Sequence, residues 1–174
     1  MRRGFVAVLT AMLLGPAVSL AGPPAVARDC HGKTLRFPSC VAGTYLGEVT
    51  LDVGLVFQNL NTLGADGTYV TESTIDFGAG GTVPMAFRSG GRGQWRMIGP
   101  RQMKITYLHF AYDGTGVLLW LEKISAVVTA SRGCASATGE ATYGIYPPGL
   151  DPFGDEPPVA GGTATLVMKR LPLD

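Results

Sequence analysis

The lack of helical periodicity constrains this chain more than any other feature of its sequence. After Pro38, almost no stretch carries apolar residues at positions i, i+3, i+4 and i+7 for three turns without Gly or Pro. Short runs rich in Val, Ile, Thr, Tyr and Phe take their place, separated by Gly, Pro and Asp. The pattern predicts eight strands, near residues 43–51, 55–63, 68–77, 85–98, 102–112, 117–130, 135–146 and 162–171.

Eight strands joined by short loops must protect their exposed edges, and closure into a barrel removes the edges altogether. We therefore expect an all-β fold, a single antiparallel up-and-down barrel of about eight strands over residues 41–174. In this order the tight turns collect at one end, and the longer loops, including 78–84 and 147–161, collect at the other. Such a barrel is just wide enough to be filled by side chains or to hold one small ligand.

The sequence Asp-Gly-Thr occurs twice between strand-like runs, at 66–68 and at 113–115. Asp tolerates a left-handed backbone and bonds to its own main chain, and Gly accepts a positive φ without a steric penalty. Asp66 and Asp113 are therefore interpreted as turn residues rather than as catalytic carboxylates.

Residues 1–27 have the composition of a signal peptide. Arg2 and Arg3 form a positive start, a Pro-interrupted apolar run follows, and small residues place cleavage after Ala21 or Ala27. Residues 28–40 are then an N-terminal extension, and the mature protein is expected to be exported, that is, secreted or periplasmic. Because no later run reaches about 18 apolar residues, no integral membrane segment is expected after signal removal.

The charge is balanced, with 14 basic against 13 acidic residues, or 12 against 13 without the two arginines of the signal. No run of like charge indicates a nucleic-acid partner. No motif for a nucleophile, a phosphate-binding loop, a cofactor or a metal is found, so neither cofactor nor metal is expected. We interpret Asp151, Asp155 and Glu156 as an acidic loop near Arg88 and Arg92 rather than as a calcium site.

Three cysteines, Cys30, Cys40 and Cys134, lie beyond the signal, where an oxidising compartment favours a disulfide. Three cysteines allow three single bridges, and spacing alone does not select one. Because the Cys30–Cys40 pair closes the shortest loop, we expect this pair to be bridged. A metal site that combines these cysteines with His31 lacks a second ligand cluster and is not favoured.

The hairpin over residues 104–128 carries the candidate site. A two-residue turn in which Asp113 faces Gly116, and a similar turn at Gly99-Pro100, divide the neighbouring strands into two faces. One face collects Arg96, Tyr107, His109, Trp120 and Glu122, and the other collects Trp95, Met97, Leu108, Phe110, Leu119 and Leu121.

The second face is the more apolar, and burial of a large apolar side chain contributes roughly 1.5–3 kcal/mol. We therefore expect the second face to be internal. The predicted ligand-binding residues are Trp95, Leu108, Phe110, Leu119 and Trp120. If the polar face is internal instead, His109 and Glu122 become acid and base candidates, and Tyr107 and Arg96 would steady an oxyanion or a carboxylate.

Gly-x-aromatic elements stand at 43–45 ("GTY") and at 93–95 ("GQW"). With the secretory signal and eight meandering strands, the chain resembles the calycin or lipocalin-like barrels, and it is also similar to the allene oxide cyclase type of barrel. The resemblance covers roughly residues 40 to 172 and is architectural. It implies that binding of small apolar ligands or cyclisation chemistry is compatible with the fold.

Three functions follow as hypotheses. The first is an exported barrel that binds a small apolar or amphipathic molecule, favoured because no nucleophile or metal constellation is present. The second is a cyclase or isomerase that uses His109 and Glu122 inside the barrel. The third is a filled barrel that acts through its surface. The ligand and the oligomeric state do not follow from the sequence.

Overall fold

The computed structural model describes residues 40–76 and 87–172. These residues form strands and turns and contain no helix. The strands are β1 (Gly43–Leu51), β2 (Val56–Leu63), β3 (Thr68–Ser73), β4 (Phe87–Arg88), β5 (Gly91–Met97), β6 (Gln102–Tyr112), β7 (Leu118–Ala130), β8 (Ser136–Tyr146) and β9 (Ala160–Arg170).

The strands close into an antiparallel barrel of eight. Each long strand pairs with its neighbour in sequence, and β1 pairs with β9 to close the ring. The two-residue strand β4 continues the line of β5 and pairs with the far end of β6. The predicted all-β barrel is confirmed, and the architecture is consistent with a calycin-like barrel.

Glycines inside the strands allow neighbouring backbones to approach closely. A Cβ on Gly93 would lie 2.0 Å from the carbonyl oxygen of Thr106, and a Cβ on Gly139 would lie 2.3 Å from that of Val127. Real Cβ atoms do not come this close to backbone atoms. A closed, strongly bent sheet therefore needs glycine at these two positions.

Both Asp-Gly-Thr segments form turns, as predicted. Oδ1 of Asp66 accepts hydrogen bonds from the backbone N and the hydroxyl of Thr68, at 3.0 and 2.6 Å. Oδ1 of Asp113 does the same for Thr115, at 2.8 and 2.7 Å. These bonds lower the pKa of both carboxyl groups, so the repeat is explained by turn chemistry.

The tight-turn end of the barrel is closed by aromatic side chains. Tyr45 and Trp95, the aromatic residues of the two Gly-x-aromatic elements, are each 2 % exposed. The Tyr45 hydroxyl donates to the Val41 carbonyl at 3.0 Å, and the Trp95 indole donates to the Gly64 carbonyl at 2.9 Å. This half of the interior is therefore an apolar plug whose few polar atoms are bonded to the backbone.

A disulfide between Cys40 and Cys134 also fastens this end. The predicted Cys30–Cys40 bridge is therefore wrong. Cys134, in the β7–β8 turn with a positive φ of 59°, lies beside the residues that lead into β1, and the two Cα atoms are 5.6 Å apart. The pairing depends on barrel closure, which brings together residues 94 positions apart.

The segment 147–159 folds back along the outside of β7 and β8. Nζ of Lys123 donates to the Pro152 carbonyl at 2.7 Å and lies 4.8 Å from the centre of the Phe153 ring. Pro152 and Tyr146 are buried in this contact region. The outer surface of the barrel is therefore partly covered by its own chain.

Several sequence predictions lie outside the described residues. They are the signal peptide 1–27, the extension apart from Cys40, Cys30 itself, and the glycine-rich segment 78–84. Within 40–76 and 87–172, no helix has the length and apolar character needed to cross a membrane.

Candidate functional site

The loop-rich half of the barrel interior contains several polar side chains. Side chains that alternate inward along their strands include uncharged and charged groups, all with little exposure: Asn59, Asn61, Thr71, Arg88 and His109. Their burial is unusual because polar groups prefer water unless hydrogen bonds replace it. The described residues leave no buried side-chain nitrogen or oxygen without a partner.

Arg88 is at the centre of a buried charge network. Its Nε donates to Oδ1 of Asp76 at 2.8 Å, its Nη1 to Oε2 of Glu122 at 2.5 Å, and its Nη2 to the Ser73 hydroxyl at 2.9 Å. The side chains of Arg88 and Asp76 are 6 % and 5 % exposed, and that of Glu122 is 16 % exposed. Burial would lower the pKa of Arg88, but the two carboxylates outweigh it and raise the pKa.

His109 lies directly opposite Glu122 in the β6–β7 ladder. Its Nδ1 is 2.7 Å from the Ser89 carbonyl oxygen. Because a carbonyl only accepts, Nδ1 must carry the proton, which leaves the lone pair on Nε2. Burial is the main cause that lowers the pKa of His109, and the charge of Arg88 lowers it further, so the ring is neutral near pH 7.

Nε2 of His109 receives no hydrogen bond from the described residues. No buried side-chain nitrogen or oxygen among these residues lacks a hydrogen-bond partner, so an Nε2 atom without a partner must be accessible. The space that it faces is the adjoining cavity, which His109 lines. The neighbouring Tyr107 ring meets the imidazole edge-on at 5.3 Å between centroids. Burial raises the pKa of Tyr107 well above its usual value, so the phenol stays protonated.

A second, uncharged network lies beside the ion pairs. Asn61 accepts hydrogen bonds at Oδ1 from the hydroxyls of Tyr69 and Thr71, and its Nδ2 donates to Oδ1 of Asn59 at 2.8 Å. Gly47 on the adjacent strand makes room for both amides, because a Cβ there would lie 2.2 Å from Asn59 Oδ1. Burial raises the pKa of Tyr69 as well.

These groups surround a small cavity that opens toward the loop-rich end, here called the cup. Its polar lining includes Asn59, Ser73, Arg88, His109, Glu122 and Tyr143, and mainly apolar side chains complete the wall. The cavity holds about 30 Å³ within an open volume of about 450 Å³. The inner part therefore has room for one or two water-sized groups, and the rest is mouth.

The structure reverses the expected faces of the hairpin. Tyr107 and His109 are inside, at 8 % and 2 % exposure, whereas Phe110 is 37 % exposed on the outside. Leu108 also points outward, and Leu119 is the unpaired residue of a β-bulge. The expectation that the apolar face is internal is therefore wrong. The side chains of Leu108, Phe110 and Leu119 do not line the cup.

The two tryptophans and Arg96 are also placed differently. Trp95 is inside with Tyr107, not with Phe110, because the turn after β5 pairs Met97 with Met103 and so moves the register by one residue. Trp95 belongs to the closed end, and Arg96 points outward. Trp120 pairs with the inward Ala111 near the mouth and is half-buried.

The predicted pairings along the β6–β7 hairpin are shifted by two residues. His109 faces Glu122 instead of Trp120, and Tyr107 faces Ile124 instead of Glu122. One shift arises at the turn, where Asp113 N donates to Val117 O, and the other at the bulge after Ala111. Because two single shifts restore the alternation, the polar residues still share a face.

The central residue, Arg88, was missed as a site residue. The sequence suggested a surface pair with the acidic loop at 151–156, but the structure gives Arg88 the partners Asp76 and Glu122. A signal was present in β2, where Asn59 and Asn61 alternate with Leu60. Such alternation is ordinarily interpreted as polar outside, whereas here Leu60 is 42 % exposed and the amides are inside.

The described residues contain no group of three or more His, Cys, Asp and Glu side chains that could hold a metal ion. In comparisons with known proteins, no family model, no curated protein and no solved structure matches this chain.

Proposed function

We propose that this protein is an exported, calycin-like barrel that binds a small amphipathic molecule in the cup. The observation that carries the proposal is Nε2 of His109, a hydrogen-bonding atom that opens into a cavity and has no partner among the described residues. Small-molecule sites are mostly apolar with a few placed polar groups, and the cup has this composition.

The size of the cup limits how a ligand binds. About 30 Å³ of inner space admits a head group of one or two heavy atoms, and the remainder of the ligand would occupy the mouth. Leu51, Phe57 and Tyr143 are the larger side chains available to contact it there. This arrangement favours an amphipathic ligand over a fully apolar one.

The disulfide supports the exported part of the proposal. A bridge between Cys40 and Cys134 is compatible with an oxidising compartment, where disulfides form and persist. The expected signal peptide points to the same location.

The binding function is tested by a thermal-shift screen of the mature protein against lipids and metabolites. A ligand at a hundred times its dissociation constant stabilises the folded state by about 2.7 kcal/mol. Ala164→Val should abolish the shift, because this inward side chain lines the cup and the added methyl groups would fill the cavity. Thr165→Val is the matched control, since this neighbouring side chain is exposed.

Fluorescence locates the bound molecule. The protein has two tryptophans, and Trp120 is near the mouth whereas Trp95 is sealed at the closed end. Ligand addition should change the emission of Trp95→Phe and leave that of Trp120→Phe unchanged. Absence of any thermal shift across the screen would reject the binding function and favour a filled barrel that acts through its surface.

A proton-transfer enzyme of the cyclase or isomerase type is the second candidate. It is favoured by the fixed tautomer of His109, whose Nε2 is a free base directly opposite Glu122. If a stabilising compound is also converted, His109→Gln should lower turnover by a much larger factor than it lowers affinity. Binding without conversion by the unmodified protein would exclude this candidate for that compound.

A further inference from the structure

The pair formed by His109 and Glu122 leaves two hydrogen-bond acceptors available to a ligand. Each guanidinium nitrogen of Arg88 already donates one hydrogen bond, to Asp76, Glu122 or Ser73. Nε2 of His109 and the second carboxylate oxygen of Glu122 receive no hydrogen bond from the described residues. A ligand that donates hydrogen bonds therefore fits these two atoms better than one that accepts them.

The net charge of the cup also favours a ligand that donates hydrogen bonds. Asp76 and Glu122 carry two negative charges against the one positive charge of Arg88, so the network has a net charge of −1. Asp52 adds a further carboxylate at the rim, beside the hydroxyl of Tyr143. The nearby cation Lys123 is bonded to the segment on the outside of the barrel.

In the sequence, the residues between Asp76 and Phe87 include no charged side chain. An anionic head group between His109 and Glu122 would lie beside the carboxylate of Glu122, and two like charges in a partly buried site repel each other. Asn59, which also lines the cup, supplies a neutral amide and does not alter this balance.

We propose that the ligand of the cup is an amphipathic amine, whose ammonium group binds between Nε2 of His109 and the free oxygen of Glu122. The inner space of about 30 Å³ matches a group of this size. The apolar part lies in the mouth against Leu51 and Phe57. This inference depends on the proposed binding function and specifies its ligand class.

Three probes with the same six-carbon chain test the head group: hexylammonium, 1-hexanol and hexanoate, titrated calorimetrically into the mature protein at pH 7.5. Hydrogen bonds between charged groups are worth about 1.5–3 kcal/mol, which is about tenfold or more in affinity. Hexylammonium should therefore bind at least about tenfold more tightly than hexanol, and hexanoate should be the weakest.

Glu122→Gln should remove most of that advantage and leave the affinity for hexanol within about twofold. Because this substitution also breaks the ion pair with Arg88, Asp52→Asn is a second variant. It retains an acceptor for Thr163 and should weaken hexylammonium about twofold or more. Asp66→Asn is its matched control, since Asp66 also caps a threonine but lies at the closed end.

The outcomes separate the two proposals. Equal or tighter binding of hexanol or hexanoate overturns the amine assignment and leaves the binding function intact. If none of the three probes binds, the amine assignment is overturned as well. The binding function is rejected with it only when the broad compound screen is also negative.

Discussion

His109 and Glu122 lie directly opposite each other on β6 and β7, and both side chains line the same cavity inside the barrel. The backbone carbonyl of Ser89 fixes the imidazole, and Arg88 fixes the carboxylate. The pair is therefore held in one geometry before any ligand arrives, which reduces the entropy lost on binding.

The buried ion pairs should make Arg88 necessary for stability. Arg88→Met would leave the carboxylates of Asp76 and Glu122 without their partner, and we expect a loss of about 3–5 kcal/mol in the free energy of unfolding. Urea denaturation followed by circular dichroism measures it. Arg92→Met, at an exposed position of β5, is the control and should change stability by less than about 0.5 kcal/mol. Equal effects of the two substitutions would contradict the stabilising role of the Arg88 network.

Stability should decrease as the pH is lowered, because of His109. Its pKa is lowered from 6.5 by burial and then by Arg88, against the opposing effects of the Ser89 carbonyl, Glu122 and Asp76. Above pH 6.5 both the folded and the unfolded states hold a neutral ring. Below it the unfolded chain binds a proton that the folded state resists, so the free energy of unfolding decreases by up to about 1.4 kcal/mol per pH unit.

Urea titrations at pH 7.5, 6.5 and 5.5 measure this slope. His109→Gln should reduce it, whereas His31→Gln, at the other histidine of the chain, should not. Tyr107 also faces the ring but stays protonated throughout this range, because burial raises its pKa. A slope that is the same in both variants would show that His109 is not the responsible group.

The disulfide should contribute strongly to stability. Cys134→Ser opens a loop of 94 residues, for which chain entropy predicts a loss of about 4.7 kcal/mol. Cys30→Ser is the control and should leave the unfolding midpoint unchanged under non-reducing conditions. Mass spectrometry of an unreduced digest should find the peptides of Cys40 and Cys134 joined. A Cys30–Cys40 peptide would disprove the pairing.

Gly93 should be the least replaceable glycine of β5. A methyl group there meets the carbonyl of Thr106 and the backbone of Tyr107, neither of which can rotate away. We expect Gly93→Ala to lower stability by about 2–3 kcal/mol or more by forcing β5 and β6 apart. At Gly99 the nearest atom lies 3.5 Å away, so Gly99→Ala should have little effect in the same thermal denaturation assay.

Strand positions followed from local sequence. The predicted strands 43–51 and 102–112 coincide with β1 and β6 as observed, and most other boundaries agree within one or two residues. Such agreement is expected where Gly, Pro and Asp interrupt β-branched runs, since these residues act on their own stretch of backbone. There are two exceptions: the predicted strand 68–77 ends at Ser73, and the predicted strand 85–98 is divided into β4 and β5.

The face that each strand turns inward did not follow from hydrophobicity. Summing the transfer free energies of Leu108 and Phe110 favours their burial, but the interior of a small barrel has space for few side chains. The interior positions near the mouth are taken by hydrogen-bonded polar groups, whose partners come from other strands. The cost of their burial is offset by bonds that no single hairpin contains, such as the one between Arg88 and Asp76.

The sequence by itself determined the all-β class, the strand order and the turn roles of Asp66 and Asp113, because these depend on propensities and bonds within a few residues. Only the tertiary structure decided the Cys40–Cys134 bridge, the site of Arg88 and the inward direction of His109. Each of these depends on residues from different strands, and the disulfide in addition requires that β1 pair with β9 and close the barrel. One-residue shifts at turns and bulges then set which face is inside.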